Sequence, residues 1–179
     1  MSEYEFTLKF RLPDASADSE AFIDALAEAG CDDALVGIGM QGRIALDFTR
    51  EAKSASDAVT SAVRDVKSAI PGAELIEASP DIVGLTDVAE IAGCTRQNMR
   101  KMMMAHLSTF PLAVHEGASS SFWHLASVLT WLDEHQKRQI DVGLLDIAKI
   151  NMTINIAKEA RRLPNAQFSL PKDLAMLLA

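Results

Sequence analysis

TDVAEIAGCTRQNMRKMMMAH, residues 86–106, is the stretch whose reading decides the second half of the chain. It reads as two short helices about a glycine. Thr86 can cap the first, which runs through Asp87, Val88, Ala89, Glu90, Ile91 and Ala92. Gly93 supplies the turn, and Thr95 can cap a second helix from Arg96 onward. Ala89 is small where the helices approach, and Met99 and Met102 fall on the inward side. The outward side presents Arg96, Gln97, Arg100 and Lys101, with Asn98 near its edge. No Asp or Glu follows Glu90 in this stretch, although the chain carries a formal net charge of -8.

These are the side chains that duplex DNA asks for. The start of a recognition helix enters the major groove. There Arg can donate two bonds to guanine, and Gln or Asn can pair with the donor and acceptor of adenine. Lys101 and the Thr95 hydroxyl suit phosphate, as do helix-start amides. The plainer account is a solvated basic face over methionine packing, with Met99, Met102, Met103 and Met104 mostly core.

The residues that follow add a wing. FPLAVHEGASSSFWHLASVLTWL, residues 110–132, reads as strand, turn, strand and helix. Leu112 to Val114 can pair with Ser121 to Trp123 around Gly117, Ala118, Ser119 and Ser120. Over residues 81–133 the order is capped helix, glycine turn, second helix, hairpin, tryptophan and closing helix. This order resembles the winged helix-turn-helix of MerR-like and excisionase-type DNA-binding regulators. The resemblance implies that Arg96, Gln97, Arg100 and Lys101 face the groove, that the wing touches backbone or minor groove, and that binding is dimeric or side by side; the hydroxyls of Ser119 and Ser120 in the wing can meet phosphate. One departure stands out: such wings often carry Arg or Lys at the tip, where this one has serines and Glu116.

Upstream the pattern is different. Tyr4, Phe6, Leu8 and Phe10 alternate with Glu5, Thr7, Lys9 and Arg11, the period of a half-buried strand. Asp18 or Ser19 can cap a helix bearing Phe22, Ile23, Leu26 and Ala29, which Gly30 can end. Residues 33–40 and 43–50 read as two strands joined near Gln41-Gly42. Residues 54–70 form an amphipathic helix stopped by Pro71-Gly72, and residues 73–79 a last strand. The order β-α-β-β-α-β matches a ferredoxin-like split βαβ unit. Gly37, Gly39 and Gly42 spell GxGxxG, but the strand-like RIALDF follows where a nucleotide fingerprint needs a helix.

The expected fold is therefore α+β: a ferredoxin-like sandwich over residues 1–79, a winged helix-turn-helix over 80–135, and a long helix with a tail over 136–179. That helix is expected to run from Gln136 to about Leu163, striped with Ile140, Leu144, Ile147, Ile150 and Ile154; the stripe suits dimerisation, and because Asn151 and Asn155 interrupt it, packing back on its own chain as well.

Charge is uneven. Residues 1–80 hold 7 Lys+Arg against 15 Asp+Glu, residues 81–135 hold 3 against 6, and residues 136–179 hold 7 against 4. An acidic balance disfavours loose binding to polyanions while leaving a local cationic face usable. His106, His115, His124 and His135 lack metal spacing, and no Asp is evidently placed to orient His124 toward Ser121. Cys31 and Cys94 read as reduced thiols in apolar surroundings. No secretory signal or membrane span is apparent. The expectation is a cytoplasmic, bacterial or phage-type transcriptional regulator, not an enzyme, without cofactor or metal, that binds double-stranded DNA as a homodimer. The alternative is an interaction adaptor or antitoxin-like protein whose acidic N-terminal domain docks a basic partner.

Overall fold

The computed structural model describes residues 1–163 apart from 17–18, 38–39 and 137–138. The alternation at the N-terminus becomes β1, Ser2–Arg11, with Tyr4, Phe6, Leu8 and Phe10 buried. A 3-10 turn, Ser19–Phe22, leads into the short α1, Ile23–Glu28. Asp18 lies outside the described residues. Then come β2 (Ala34–Gly37), β3 (Arg43–Ala52), α2 (Ala55–Ala69) and β4 (Glu74–Ser79). The four strands form one antiparallel sheet in the order β2-β3-β1-β4. One face is apolar because Ile44, Leu46 and Phe48 of β3 lie opposite the buried residues of β1, with Phe6 stacked on Phe48 at 5.2 Å. Ala58, Val59, Ala62 and Val66 of α2 complete this core. The other face is open to solvent and carries Glu3, Glu5, Lys9, Arg11, Asp47 and Glu51.

One inward position on β3 is charged. Arg50 is buried, and its guanidinium uses all five N–H donors. Nε and Nη2 reach Asp33 at 2.7 and 2.9 Å, Nη1 reaches Asp65 at 2.7 Å and Ser61 at 3.0 Å, and Nη2 also reaches the Gly30 carbonyl at 2.7 Å. The group lies over the Phe48 ring at 4.9 Å. It ties the loop before β2 and the middle of α2 to the sheet. Next to it, burial pushes the Cys31 thiol up to about 11. At pH 8 a thiol reagent should therefore label half-buried Cys94 first and Cys31 only after denaturation. Because the folded chain holds the Cys31 proton more tightly than the unfolded one, this burial costs stability as pH rises from 9.0 toward 11.

Gly42 precedes β3 at φ +74°, and a Cβ there would lie 2.9 Å from the Ala15 backbone. Gly93 has φ +63° with open space around it. Gly93→Ala should thus cost only the ~1–2 kcal/mol of a left-handed alanine, and Gly42→Ala more. Thermal melts of the two variants should fall in that order.

The second half has its own sheet and core. β5 (Ile82–Gly84) precedes α3 (Leu85–Ile91) and α4 (Arg96–Ala105). β6 (His115–Glu116) and β7 (Ser121–His124) follow, then α5 (Leu125–Gln136) and α6 (Val142–Arg161). The strands pair antiparallel in the order β5-β7-β6. The sequence had not suggested β5, since three residues are too few for periodicity. The wing strand also begins at His115, not Leu112. Val114 retains one bond, its N–H to the Phe122 carbonyl at 2.8 Å. The closing helix after the wing is α5, which ends at Gln136, and the long helix expected from Gln136 starts six residues later as α6, where Asp141 accepts the Leu144 N–H at 2.7 Å.

α6 belongs to both cores. Ile147, Ile150 and Ile154 pack on the first sheet, while Leu144, Leu145, Ala148 and Met152 pack with α5. The asparagines that break its stripe form the seam between them. Asn155 accepts the Ala78 N–H at 3.0 Å and donates to the Ala78 carbonyl at 2.7 Å, standing in for a neighbouring strand at the edge of β4. Lys158 donates to the Ile76 carbonyl on the same edge. Asn151 is buried and donates to the Pro80 carbonyl at 3.2 Å.

Candidate nucleic-acid interface

The helical hairpin forms as its sequence suggests, with one change of cap. Gly84 is the cap of α3, and its N–H donates to Asp87 Oδ2 at 2.8 Å, so Thr86 sits inside the first turn. Thr95 does cap α4, its hydroxyl accepting the Asn98 N–H at 3.2 Å. Ala89 and Met99 are buried where the helices meet, and Met102 and Met103 pack partly against the same core, leaving Met104 exposed. Phe110, Trp123 and Trp131 brace this core edge to face, with the Trp123 indole N–H donating to the Pro111 carbonyl at 3.1 Å.

Arg96, Gln97, Asn98, Arg100 and Lys101 are all exposed, as is Thr95. Among the described residues, Arg96, Arg100 and Lys101 have no ion-pair partner, whereas Arg50 and Lys9 do. Ser119 and Ser120 are exposed in the wing turn, closed by the Gly117 N–H bonding the Ser120 carbonyl at 2.8 Å. The structure brings these two sets together. Arg96 and Arg100 line one wall of a cleft of about 490 Å³ whose other wall is the wing, residues 117–123. Gln97, Asn98 and Lys101 are not among its lining residues. Asp87 lines it too, but its carboxylate is engaged by the Gly84 N–H.

The charge order on α4 runs against its own dipole. A helix is stabilised by acid in its first turn and base in its last. α2 follows this with Asp57 and Lys67. α4 has Arg96 in its first turn, no acid there, and no base in its last turn. Its unpaired amides and guanidinium groups therefore concentrate positive potential at one end, where an anion would be held.

His124 has a partner that the sequence did not reveal. His124 Nδ1 lies 2.7 Å from Asp81 Oδ1, while Asn155 donates to Asp81 Oδ2 at 2.8 Å. The Asp81 carbonyl accepts the Leu125 N–H that opens α5. Asp81 lies 43 residues before His124, and the β5-β7 pairing brings them together. Ser121 and His124 are three residues apart on β7, so they point to opposite faces and form no triad. Among the described residues, no group of three or more His, Cys, Asp or Glu side chains could hold a metal ion, and no helix is long and apolar enough to cross a membrane.

Compared with known protein families, characterised proteins and solved structures, the chain matches none.

Proposed function

We propose that this chain is a sequence-specific, DNA-binding transcriptional regulator that reads the major groove with α4. Its first half is a ferredoxin-like sensing or partner-docking unit, and its second a winged helix-turn-helix. The observation that carries the reading is the exposed face of α4: three cations without an ion-pair partner among the described residues, Arg96 in the first turn where the dipole disfavours it, and Arg96 and Arg100 opposite a wing turn. Departures from such local rules are expected at functional or strained sites. The strand order β2-β3-β1-β4 supports the first assignment, and the pairing β5-β7-β6 around two helices the second. Arg96 and Arg100 contact base edges, Lys101 and the Thr95 hydroxyl contact phosphate, and the Ser119 and Ser120 hydroxyls touch backbone without adding charge.

That division has a measurable consequence. Each neutralised phosphate steepens the salt dependence of binding by about 0.9 in log–log slope. Lys101→Ala should flatten the slope by about one and weaken all sequences alike. Replacing Ser119 or Ser120 by Ala should leave the slope unchanged. Gel shifts across a salt series on a selected site and on random DNA are the test. Equal loss on both duplexes for Arg96, Arg100 and Lys101 variants would overturn the base-reading roles.

One observation favours a second reading. On the open face of the first sheet Glu3 lies directly opposite Glu51, with Glu5 on the same side of β1. Like charges across a strand pair are destabilising, and a basic protein partner would relieve them. A pull-down from the native host distinguishes an adaptor from a regulator.

A further inference from the structure

α2 and α6 lie side by side and end together. α2 turns straight into β4 through Gly72 and so runs opposite to that strand. α6 runs opposite to it too, since Asn155 meets β4 at Ala78 and Lys158, further along the helix, meets it at Ile76. The two helices border a groove of about 600 Å³. Val63, Leu75, Ile154 and Ala157 give it apolar walls, and its charged side chains are Lys67, Lys158, Arg161, Arg162 and Glu74. Glu74 is bonded to Arg11, and Glu159 on the flank is shared by Lys158 and Arg162 at 3.1 Å each. With Arg11 and Glu159 included, five cations stand against two carboxylates, an excess of three. Lys67 of α2 and Arg161 of α6 have no ion-pair partner among the described residues. Both sit in the last turn of their helices, so part of the excess answers the helix dipoles. Each helix end carries only about half a negative charge, so two ends take up about one cation and leave about two.

We propose that this groove binds a small organic carboxylate with an apolar body, its head between Lys67 and Arg161 and its body along Val63, Ala157 and Ile154. The volume falls within the ~300–1,000 Å³ of small-molecule sites. The order of residues sets the direction of the ligand. Val63 comes one turn before Lys67 on α2, and Ile154 and Ala157 come before Arg161 on α6, so the walls pass from apolar to cationic in one direction. A carboxylate suits the cationic end because the planar guanidinium fork can meet both of its oxygens. Other occupants use only part of this layout. A duplex backbone is charged along its whole length and sets nothing apolar on Val63 and Ile154. An uncharged ligand leaves Lys67 and Arg161 unanswered, and a cation is repelled. The inference rests on the reading of the first half as a sensing unit and names the class of ligand sensed. It also places that ligand against α6, the helix that packs on both cores.

The test is titration calorimetry of the full chain with sodium octanoate as the probe, kept below the concentration at which it forms micelles. Saturable binding is expected. Lys67→Ala and Arg161→Ala should each weaken it at least ~10-fold, the loss that goes with one hydrogen bond to a charged group. Both variants should melt like wild type, since both side chains are exposed. Ala157→Phe, which fills the groove from an exposed position, should abolish binding. Acetate and inorganic phosphate present the head without the body, and octanol the body without the head. Each should bind at least ~10-fold more weakly than octanoate. No binding of octanoate overturns the proposal, as does undiminished affinity in Lys67→Ala and Arg161→Ala. Acetate or phosphate held as tightly would reduce the site to an adventitious anion contact, and octanol held as tightly would reduce it to an apolar patch; either result overturns the proposal. The outcome is separable from the regulator reading. A chain that binds octanoate but is indifferent to every duplex refutes the regulator alone, and one that prefers a duplex yet ignores octanoate refutes the ligand site alone.

Discussion

Arg50→Ala is expected to lower the unfolding free energy by about 3–5 kcal/mol, the cost of stripping one partner from a buried ion cluster. The effect is large because the arginine leaves more than a hole. Asp33 and Asp65 would face each other across the vacated site with their cation gone, and the Gly30 carbonyl and Ser61 hydroxyl would each lose a donor. Against a total of ~5–15 kcal/mol for a typical domain, that is enough to move the melting midpoint by several degrees. Arg50→Lys should recover little of the loss, because an ammonium has three donors and no planar fork to meet Asp33 with two of them. Chemical denaturation, read as a shift in midpoint at constant slope, measures this. A loss below ~1 kcal/mol would show that the cluster contributes no more than an exposed pair.

The second large effect belongs to the interface. Arg96→Ala and Arg100→Ala should each cost ~1–3 kcal/mol on the preferred duplex if each reads a base. The two side chains line the same cleft wall one helical turn apart, so their losses need not add. The double variant should bind the preferred site no better than random DNA while melting like wild type, because neither residue is buried or ion-paired among the described residues. A double variant that keeps its preference would move the reading role to Gln97 and Asn98.

How much of this could be read beforehand depended on the distance between partners. β1, β3, α2 and the α3–α4 hairpin were legible because their signals are local: alternation, helical stripes, the Thr95 cap, and Gly93 in the turn. The face of α4 was legible for the same reason, since one helix holds Arg96, Gln97, Arg100 and Lys101. What escaped was tertiary. Alternation puts Arg50 on the same face as Ile44, Leu46 and Phe48, but nothing local names the partners that neutralise it, because Asp33 and Asp65 come from other elements. Asp81 meets His124 where β5 pairs with β7, 43 residues along the chain. Asn151 and Asn155 looked like flaws in a dimerising stripe, yet they satisfy the edge of β4 and the chain that leaves it. The large aliphatic of α6's second half that stands exposed, Ile156, is offset from the stripe that periodicity selected. The late start of α6 was masked by Ile140, which continues the apolar spacing although the helix begins after Asp141.

The most direct test of the α4 assignment is selection of bound duplexes from randomised DNA by the full chain at low ionic strength, followed by titration of the winning site over a salt series. The expected result is one recovered consensus, bound with a salt slope that falls by about one in Lys101→Ala and with a preference that Arg96→Ala or Arg100→Ala relaxes. Recovery of no enriched sequence, with no duplex retained even at the lowest salt, would contradict it.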